Sequence, residues 1–316
     1  MLHLPYTDLP EQICCIDTLY QRPGLAACYL VESAGEAALI DTGTAPRTPG
    51  LLALLAHRGV APSQVRYVIP THVHLDHAGA AGQLMQLLPA AQLVVHPRGA
   101  RHLIDPSKLI AGTTAVYGET SFKALYGELL PVPAQRVLEA DDDLILELGQ
   151  RRLHCLDTPG HARHHICLYD DQSRGIFTGD TFGLSYREFD TAKGAFVLPT
   201  TTPVQFEPEA WHASIERLLR LQPECLYLTH FGRVTEVPRL AADLHRGLDD
   251  FVAIARMSGS DTNIGELRTG LLDWTLHKLA DHGCQLGRDR IQQLLEMDLV
   301  LNAQGLAIWL SRQGRG

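Results

Sequence analysis

The fold of this chain is decided by Thr71-His72-Val73-His74-Leu75-Asp76-His77. These seven residues bring three histidines and one aspartate together, directly after the apolar run 65–70. Imidazole and carboxylate groups are ligands that zinc, iron and manganese accept. The arrangement fits a strand end that turns into a helix, so that residues 72 and 74 project to one side while residues 76 and 77 enter from the turn. The stretch therefore predicts a metal site at the end of a strand.

Three further ligand candidates lie later in the chain. They are His161 in Thr-Pro-Gly-His, Asp180 in Thr-Gly-Asp-Thr and His230 in Leu-Thr-His-Phe-Gly. All seven candidates fall at strand ends or in the loops that follow them, and such loops can converge on one rim of a scaffold. A structural role would explain one isolated histidine, but it does not explain seven ligand types in this order. We therefore expect a site with enough ligands for a metal pair.

The composition favours one large globular domain with an appendage and limits its partners. A chain of 316 residues can bury a full core. The net charge of −9 argues against a nucleic-acid surface. No apolar run reaches the roughly 20 residues of a membrane helix, and no signal peptide is recognised at the N-terminus. Seven cysteines without a Cys-x-x-Cys pair indicate reduced thiols. We expect a cytoplasmic protein that acts on a small molecule, with neither nucleic acid nor membrane as a partner.

Hydrophobic periodicity predicts an α+β fold in residues 1–236. Predicted strands are 13–18, 26–32, 37–41, 65–69, 92–95, 144–148, 152–157, 165–169, 175–178 and 225–229, and predicted helices are 48–58, 78–88 and 208–221. Residues 105–135 lack clear periodicity and are interpreted as an insertion or lid. The two similar halves predict an αββα sandwich, with two sheets face to face and helices outside.

From residue 237 the pattern becomes helical. Helices are predicted at 238–257, 264–281 and 287–298, followed by a short strand at 306–310. We therefore divide the chain into a domain of residues 1–236 and a helical C-terminal extension of residues 237–316. The extension is expected to cap the active site, to form a homodimer contact, or both. A small winged-helix-like tail is an alternative, because the final helix and short strand allow it.

In this order the motifs resemble those of the metallo-β-lactamase-fold hydrolases. The resemblance covers about residues 10–235, and Asp41-Thr42-Gly43 matches an Asp-Thr-Gly element that follows an early strand in that family. It implies two divalent cations, zinc first with iron or manganese as alternatives, because nitrogen and oxygen ligands suit all three. The resemblance does not imply a bound organic cofactor, so no cofactor-binding residues are predicted. The implied ligands are His72, His74 and His161 for the first metal, Asp76, His77 and His230 for the second, and Asp180 as the bridge.

This ligand set implies hydrolysis by a hydroxide between the metals. Two cations ~3.5–4 Å apart can hold a hydroxide and lower the pKa of water from roughly 15.7 to about 7. The second cation can also stabilise an oxyanion or a leaving group. Asp180 would offset the repulsion between the cations, and Asp76 could steer the proton of the hydroxide, so both are predicted to be catalytic. A thioester, ester, lactone or phosphodiester would be a suitable substrate.

Residues close to the ligands have two interpretations each. Asp41 hydrogen-bonds a ligand histidine or caps the next turn. His164 and His165 are expected to support the ligands or the core rather than to bind metal. His96 lines the pocket or ends its strand.

The loop after Asp180 offers two more candidates. Tyr186 is predicted to hydrogen-bond an oxyanion and is included among the catalytic residues, with a packing role as the alternative. Arg187 holds a carboxylate or phosphate of the substrate, or is a solvated charge.

Ligand identity narrows the reaction within the family. The β-lactam-cleaving members typically lack the bridging aspartate, and the diiron flavoproteins have a glutamate where His74 stands. Lactonases usually have a tyrosine where Gly183 stands. Persulfide dioxygenases use one iron, held by the equivalents of His72, His161 and Asp180. Glyoxalase-II-like thioester or ester hydrolysis is therefore the leading prediction, and a lactonase, a phosphodiesterase or a mononuclear-iron persulfide dioxygenase is the alternative.

A glutathione thioester would need cationic groups to hold its carboxylates. The candidates in the extension are Arg239, Arg246 and Arg256. An amphipathic helix also shows such residues on its solvent face, so a solvated surface is the alternative.

Overall fold

The computed structural model describes residues 3–258 and 263–313. These residues form two compact units. The first unit consists of residues 3–157, 164–179 and 223–233, and the second of residues 158–163, 180–222 and the described residues from 234 onward.

The first unit is built on two β-sheets. The first sheet has the strand order β1 to β7, namely Tyr6–Leu9, Ile13–Asp17, Ala27–Ser33, Glu36–Ile40, Val65–Ile69, Gln92–Val95 and Val137–Glu139. The second sheet has the order β13-β12-β11-β10-β9-β8, where β8 to β13 are Ile145–Leu148, Arg151–Asp157, Ile166–Asp170, Gly175–Gly179, Cys225–Leu228 and Gly232–Val234. Strands β1 to β4 pair antiparallel, whereas β4 to β7 pair parallel.

The core of this unit covers both faces of the first sheet. Along β3, Cys28 and Leu30 point into a cluster that includes residues of the helix α1, Thr48–His57. Tyr29 and Val31 point the other way, into a cluster shared with the second sheet. This alternation follows from the two-residue period of a strand, and it requires apolar residues at successive positions of a strand buried on both sides. The predicted α+β class with two sheets face to face is confirmed.

The helix predicted at 78–88 is interrupted. The structure has α2 at Leu75–Ala78 and α3 at Ala81–Leu87. The backbone N–H of Ala80 donates to the carbonyl oxygen of Gly43 at 3.0 Å, outside the helix. A long-range contact therefore breaks a helix that local periodicity favours.

Residues 105–135 contain more regular structure than their composition indicates. After α4, Pro97–Ile104, the chain forms α5, Ser107–Tyr117, and α6, Glu119–Tyr126. No described side chain of α5 is fully buried, which agrees with the lack of a strong apolar stripe in its sequence. The lid interpretation stays a prediction, but the segment is helical.

The helices of the second unit are α7, Pro208–Leu219, α8, Val237–Met257, α9, Ile264–His282, and α10, Arg288–Gln313. The helical C-terminal extension is confirmed. Its first helix, α8, begins at Val237, and the division of the chain at residue 237 stays a prediction. The strand predicted at 306–310 is wrong, because α10 continues through it. Leu299, Asn302, Leu306 and Trp309 recur every three or four residues and are all buried, which is the pattern of a helix face. The winged-helix-like alternative relied on that strand, and residues 306–310 are helical instead. Within the described residues, no helix is both long and apolar enough to cross a bilayer.

Candidate metal centre

The histidine motif follows β5, as predicted for a strand end that turns into a helix. His72 and His74 precede α2, and His74 is the residue before its first turn. The Nε2 of His72 lies 2.8 Å from the Nδ1 of His74, and the two rings meet edge to face with centroids 4.4 Å apart. Two ring nitrogens of this motif are therefore held next to each other in the first unit.

Asp76, His77 and His230 form a group in the same unit. One ligand atom from each lies within 4.8 Å of the others. The Oδ2 of Asp76 is 3.7 Å from the Nε2 of His77 and 3.3 Å from the Nε2 of His230. Both histidines are buried, whereas the Asp76 side chain keeps 21% of its exposure. Two buried imidazoles and a carboxylate open to solvent form a three-ligand set of the kind that catalytic metal sites use.

Asp41 supports this group. Its side chain is buried and lies 2.8 Å from the Nδ1 of His77. It also accepts hydrogen bonds from the backbone N–H of Thr71 at 2.7 Å and from the hydroxyls of Thr71 and Thr229 at 2.9 and 2.6 Å. Its backbone has φ 56°, in the left-handed region that aspartate tolerates better than most residues. Asp41 therefore hydrogen-bonds a candidate ligand histidine, which is the first of its two interpretations.

Hydrogen bonds select the ring nitrogen that two histidines present. The Nδ1 of His230 lies 2.7 Å from the carbonyl oxygen of Leu25. A carbonyl only accepts, so this Nδ1 carries the proton and the Nε2 keeps its lone pair. The carboxylate of Asp41 has the same effect on His77. Both Nε2 atoms are thus prepared to bind a cation, and the donor set fits a divalent metal.

His161 and Asp180 come together in the second unit. The Nε2 of His161 lies 3.3 Å from the Oδ2 of Asp180, and its Nδ1 donates to the carbonyl oxygen of Thr200 at 2.8 Å. His161 again presents Nε2. Gly160 leads into it with φ 136°, and a Cβ there would lie 2.4 Å from Trp211. The indole of Trp211 donates to the carbonyl oxygen of Thr181 at 2.6 Å, which fixes the loop directly after Asp180.

The other histidines near the motif make packing and capping contacts. The ring of His165 is buried and stacks on His72 with centroids 4.9 Å apart. The ring of His164 is also nearly parallel to that of His72, with centroids 6.2 Å apart. His96 is the residue before α4, and its Nδ1 accepts from the backbone N–H of Arg98 at 2.9 Å. Its Nε2 lies 3.2 Å from Asp157. His96 therefore ends its strand and caps the next helix.

Tyr186 and Arg187 make contacts within the second unit. The hydroxyl of Tyr186 is buried and donates to the carboxylate of Asp298 on α10, at 3.2 and 3.1 Å. The guanidinium of Arg187 donates to the carbonyl oxygen of Ser185 and pairs with Asp190 at 3.2 Å. Both contacts stabilise the loop, and the catalytic role of Tyr186 stays a prediction.

The sequence interpretation missed the two threonine hydroxyls that bind Asp41. Thr71 and Thr229 each stand directly before a candidate ligand histidine, in Thr71-His72 and Thr229-His230. That repeated Thr-His pair was the available signal. The carbonyl oxygens of Leu25 and Thr200 have no signal in the sequence, because every residue has a carbonyl.

Three comparisons bear on the family. The sequence profile of the metallo-beta-lactamase superfamily matches residues 22–230. The metallo-beta-lactamase fold-containing protein ST1585 of Sulfurisphaera tokodaii is 30% identical over 54% of this chain and 61% of its own length. An acyl-coenzyme A thioesterase, MBLAC2 of Gallus gallus, is 29% identical over 52% of this chain and 60% of its own length. The chain thus spans about three fifths of these relatives.

A solved structure extends the likeness to the whole chain. The metallo-beta-lactamase family protein TTHA1429 of Thermus thermophilus superposes with a TM-score of 0.64, and the match covers 99% of this chain and 93% of that one. The two sequences are 22% identical, so this likeness shows the fold alone.

Proposed function

Since the chain belongs to the metallo-beta-lactamase superfamily, we propose that it is a metal-dependent hydrolase that cleaves a small-molecule thioester or ester. The group of Asp76, His77 and His230, with ring nitrogens preset by Asp41 and Leu25, is the observation that carries this proposal. The similarity to an acyl-coenzyme A thioesterase supports the thioester among the possible bonds. A cytoplasmic location and a homodimer remain expectations.

We assign the seven predicted ligands to two divalent cations, zinc first. His72, His74 and His161 would hold one cation, Asp76, His77 and His230 the other, and Asp180 would contact both. When bound, such a pair supplies a hydroxide nucleophile at neutral pH and stabilises developing charge on the carbonyl oxygen. The support is chemical, since imidazole nitrogen and carboxylate oxygen are ligands for these cations and three of the imidazoles present Nε2 through a hydrogen bond at Nδ1.

The protein's own residues would then accept a proton and keep the ligand histidines in position. Asp76 is suited to accept the proton of the attacking water, because its carboxylate is partly open to solvent and lies 3.3 Å from the Nε2 of His230. Asp41 and the carbonyl oxygen of Thr200 would keep His77 and His161 in position through the reaction. Orientation of this kind is retained between turnovers, so it costs no reorganisation during the reaction.

Metal content measured together with activity tests the proposal. Elemental analysis of the purified protein is expected to give two divalent ions per chain. Turnover is expected on thioesters in a panel that also contains esters, lactones and phosphodiesters. His72→Ala and Asp180→Ala are expected to lose both metal and turnover, whereas His57→Ala, at an exposed histidine on α1, should keep both.

Two results would contradict the proposal. Full activity of Asp180→Ala would exclude the assigned ligand set. A single iron with oxygen uptake on glutathione persulfide would make the protein a persulfide dioxygenase instead of a hydrolase.

A further inference from the structure

The second unit contains a cavity that none of the predicted metal ligands lines. It has a volume of about 280 Å³ and lies among α8, α9 and the loop at residues 193–197. Ligand pockets usually start near 300 Å³, so this cavity is sized for one ring system with its charged substituents.

The lining has more cationic than anionic side chains, although Lys278 also pairs with Asp250 at 3.1 Å. Four cationic side chains, Lys193, Arg239, Arg246 and Lys278, face two carboxylates, those of Asp243 and Asp281. Asp243 lies between two guanidiniums, since it pairs with Arg239 at 2.9 Å and also with Arg246. Glu236, which does not line the cavity, takes a second contact with Arg239 at 3.0 Å. The Arg246 side chain nevertheless keeps 63% of its exposure, so its guanidinium remains accessible to an anion.

An aromatic wall accompanies these charges. Trp274 lines the cavity, and its indole N–H donates to Asp250 at 2.7 Å. The ring of Phe251 meets it edge-on with centroids 5.0 Å apart, and the Nζ of Lys278 lies 5.6 Å from its centroid. Because its indole N–H is already bonded to Asp250, Trp274 presents an apolar ring next to cations. Sites that bind nucleotides combine these two features, because the ring stacks on the base and the cations bind the phosphates.

One short segment of the second unit links the cavity to the carbonyl oxygen that orients His161. Val197 lines the cavity, and the carbonyl oxygen of Thr200 orients His161. Three residues of extended chain span at most about 11 Å. Val197 and Thr200 therefore lie within about 11 Å of each other, a distance that the flexible arm of a ligand can span.

We propose that this cavity binds the phosphorylated adenosine end of a coenzyme A thioester. The inference rests on the proposed thioester hydrolysis and names the carrier of the acyl group. Arg246 and Lys193 would bind phosphate, and Trp274 would stack the base. A glutathione thioester suits the cavity less well, because it has no ring that could stack on Trp274.

Binding of adenosine 3′,5′-bisphosphate tests the cavity apart from hydrolysis. Calorimetry with the full chain is expected to detect binding that Arg246→Glu weakens about tenfold or more, since a charge-assisted hydrogen bond is lost and a like charge is introduced. Trp274→Leu should weaken it as well. Arg220→Glu is the matched control, because Arg220 is also exposed in the second unit but does not line the cavity.

Kinetics then link the cavity to the substrate. Arg246→Glu is expected to raise KM for acetyl-coenzyme A about tenfold and to leave kcat/KM unchanged for S-acetyl-N-acetylcysteamine, which lacks the nucleotide. If the protein hydrolyses the short thioester but does not bind the bisphosphate, the inference is wrong and the proposed function stands. If the bisphosphate binds but neither a thioester nor an ester is hydrolysed, the nucleotide site stands and the proposed function is wrong.

Two further outcomes overturn the inference. One is an equal effect of Arg220→Glu, which would indicate general charge attraction. The other is displacement of the bisphosphate by reduced glutathione at a similar concentration, which would indicate a tripeptide carrier.

Discussion

Replacing Asp41 by asparagine isolates how a residue without a direct metal contact controls a ligand. The Oδ1 of Asp41 accepts from the backbone N–H and the hydroxyl of Thr71, and an amide oxygen can keep both bonds. The Oδ2 accepts from Thr229 at 2.6 Å and lies 2.8 Å from the Nδ1 of His77. In asparagine this position becomes an NH₂ group, which can only donate. The hydroxyl of Thr229 can rotate to accept from this NH₂ group. The Nδ1–H of His77 cannot, so two donors would face each other there.

The expected magnitude follows from that single contact. An NH₂ group facing Nδ1 favours the ring tautomer with its proton on Nε2, the nitrogen assigned to the metal. The lost charge-assisted hydrogen bond is worth about 1.5–3 kcal/mol, which corresponds to roughly a 10–100-fold weaker affinity for zinc. Competition with a chromogenic chelator measures this affinity, and chemical unfolding of the metal-free protein measures stability separately.

Asp170→Asn provides the matched control. Asp170 is also fully buried in the first unit and pairs with Arg151 at 3.2 Å, far along its strand from the ligands. Its replacement is expected to lower the free energy of unfolding without changing the zinc affinity. A zinc affinity of Asp41→Asn within twofold of the wild-type value would refute the tautomer argument.

Three further predictions concern stability. Gly305→Ala should destabilise the protein by about 1–3 kcal/mol, because the new Cβ would lie 1.5 Å from the carbonyl oxygen of Thr201. Gly112→Ala in α5 should instead stabilise it by about 0.5–1 kcal/mol, because the new Cβ would meet no atom within 4 Å. Urea unfolding of both variants checks the opposite signs. Tyr186→Phe should cost about 1–3 kcal/mol, because it leaves the buried carboxylate next to it without this donor, and an unchanged unfolding midpoint would contradict that role. Burial raises the pKa of the Cys155 thiol to about 12, so above pH 9 the unfolded chain loses a proton that the folded chain keeps, and stability should fall between about pH 9 and pH 12. Unfolding curves across this range should fall less steeply for Cys155→Ala, and identical slopes would exclude this contribution.

Most elements of the fold were predictable because their patterns are local. The strands around Tyr29 and Phe177 alternate or run apolar over several residues, and the first turns of α8 and α9 fall within two residues of the predicted starts. The errors have physical reasons. The apolar run at 306–310 looks like a strand on its own, yet its residues continue the buried face of α10. Strands β1, β7 and β13 were missed because three or four residues show too little alternation.

The sequence by itself determined the types of the candidate ligands, their order and their places at strand ends, because a strand followed by His-x-His-x-Asp-His has few alternatives. Only the tertiary structure decided which nitrogen His77, His161 and His230 present. Asp41 approaches His77 from 36 residues away, and Leu25 approaches His230 from 205 residues away. Such contacts depend on how distant strands align, and a carbonyl oxygen has no sequence signature. The cavity at Trp274 and Arg246 is likewise a product of packing, since residues of two helices and a loop become neighbours only after the chain has folded.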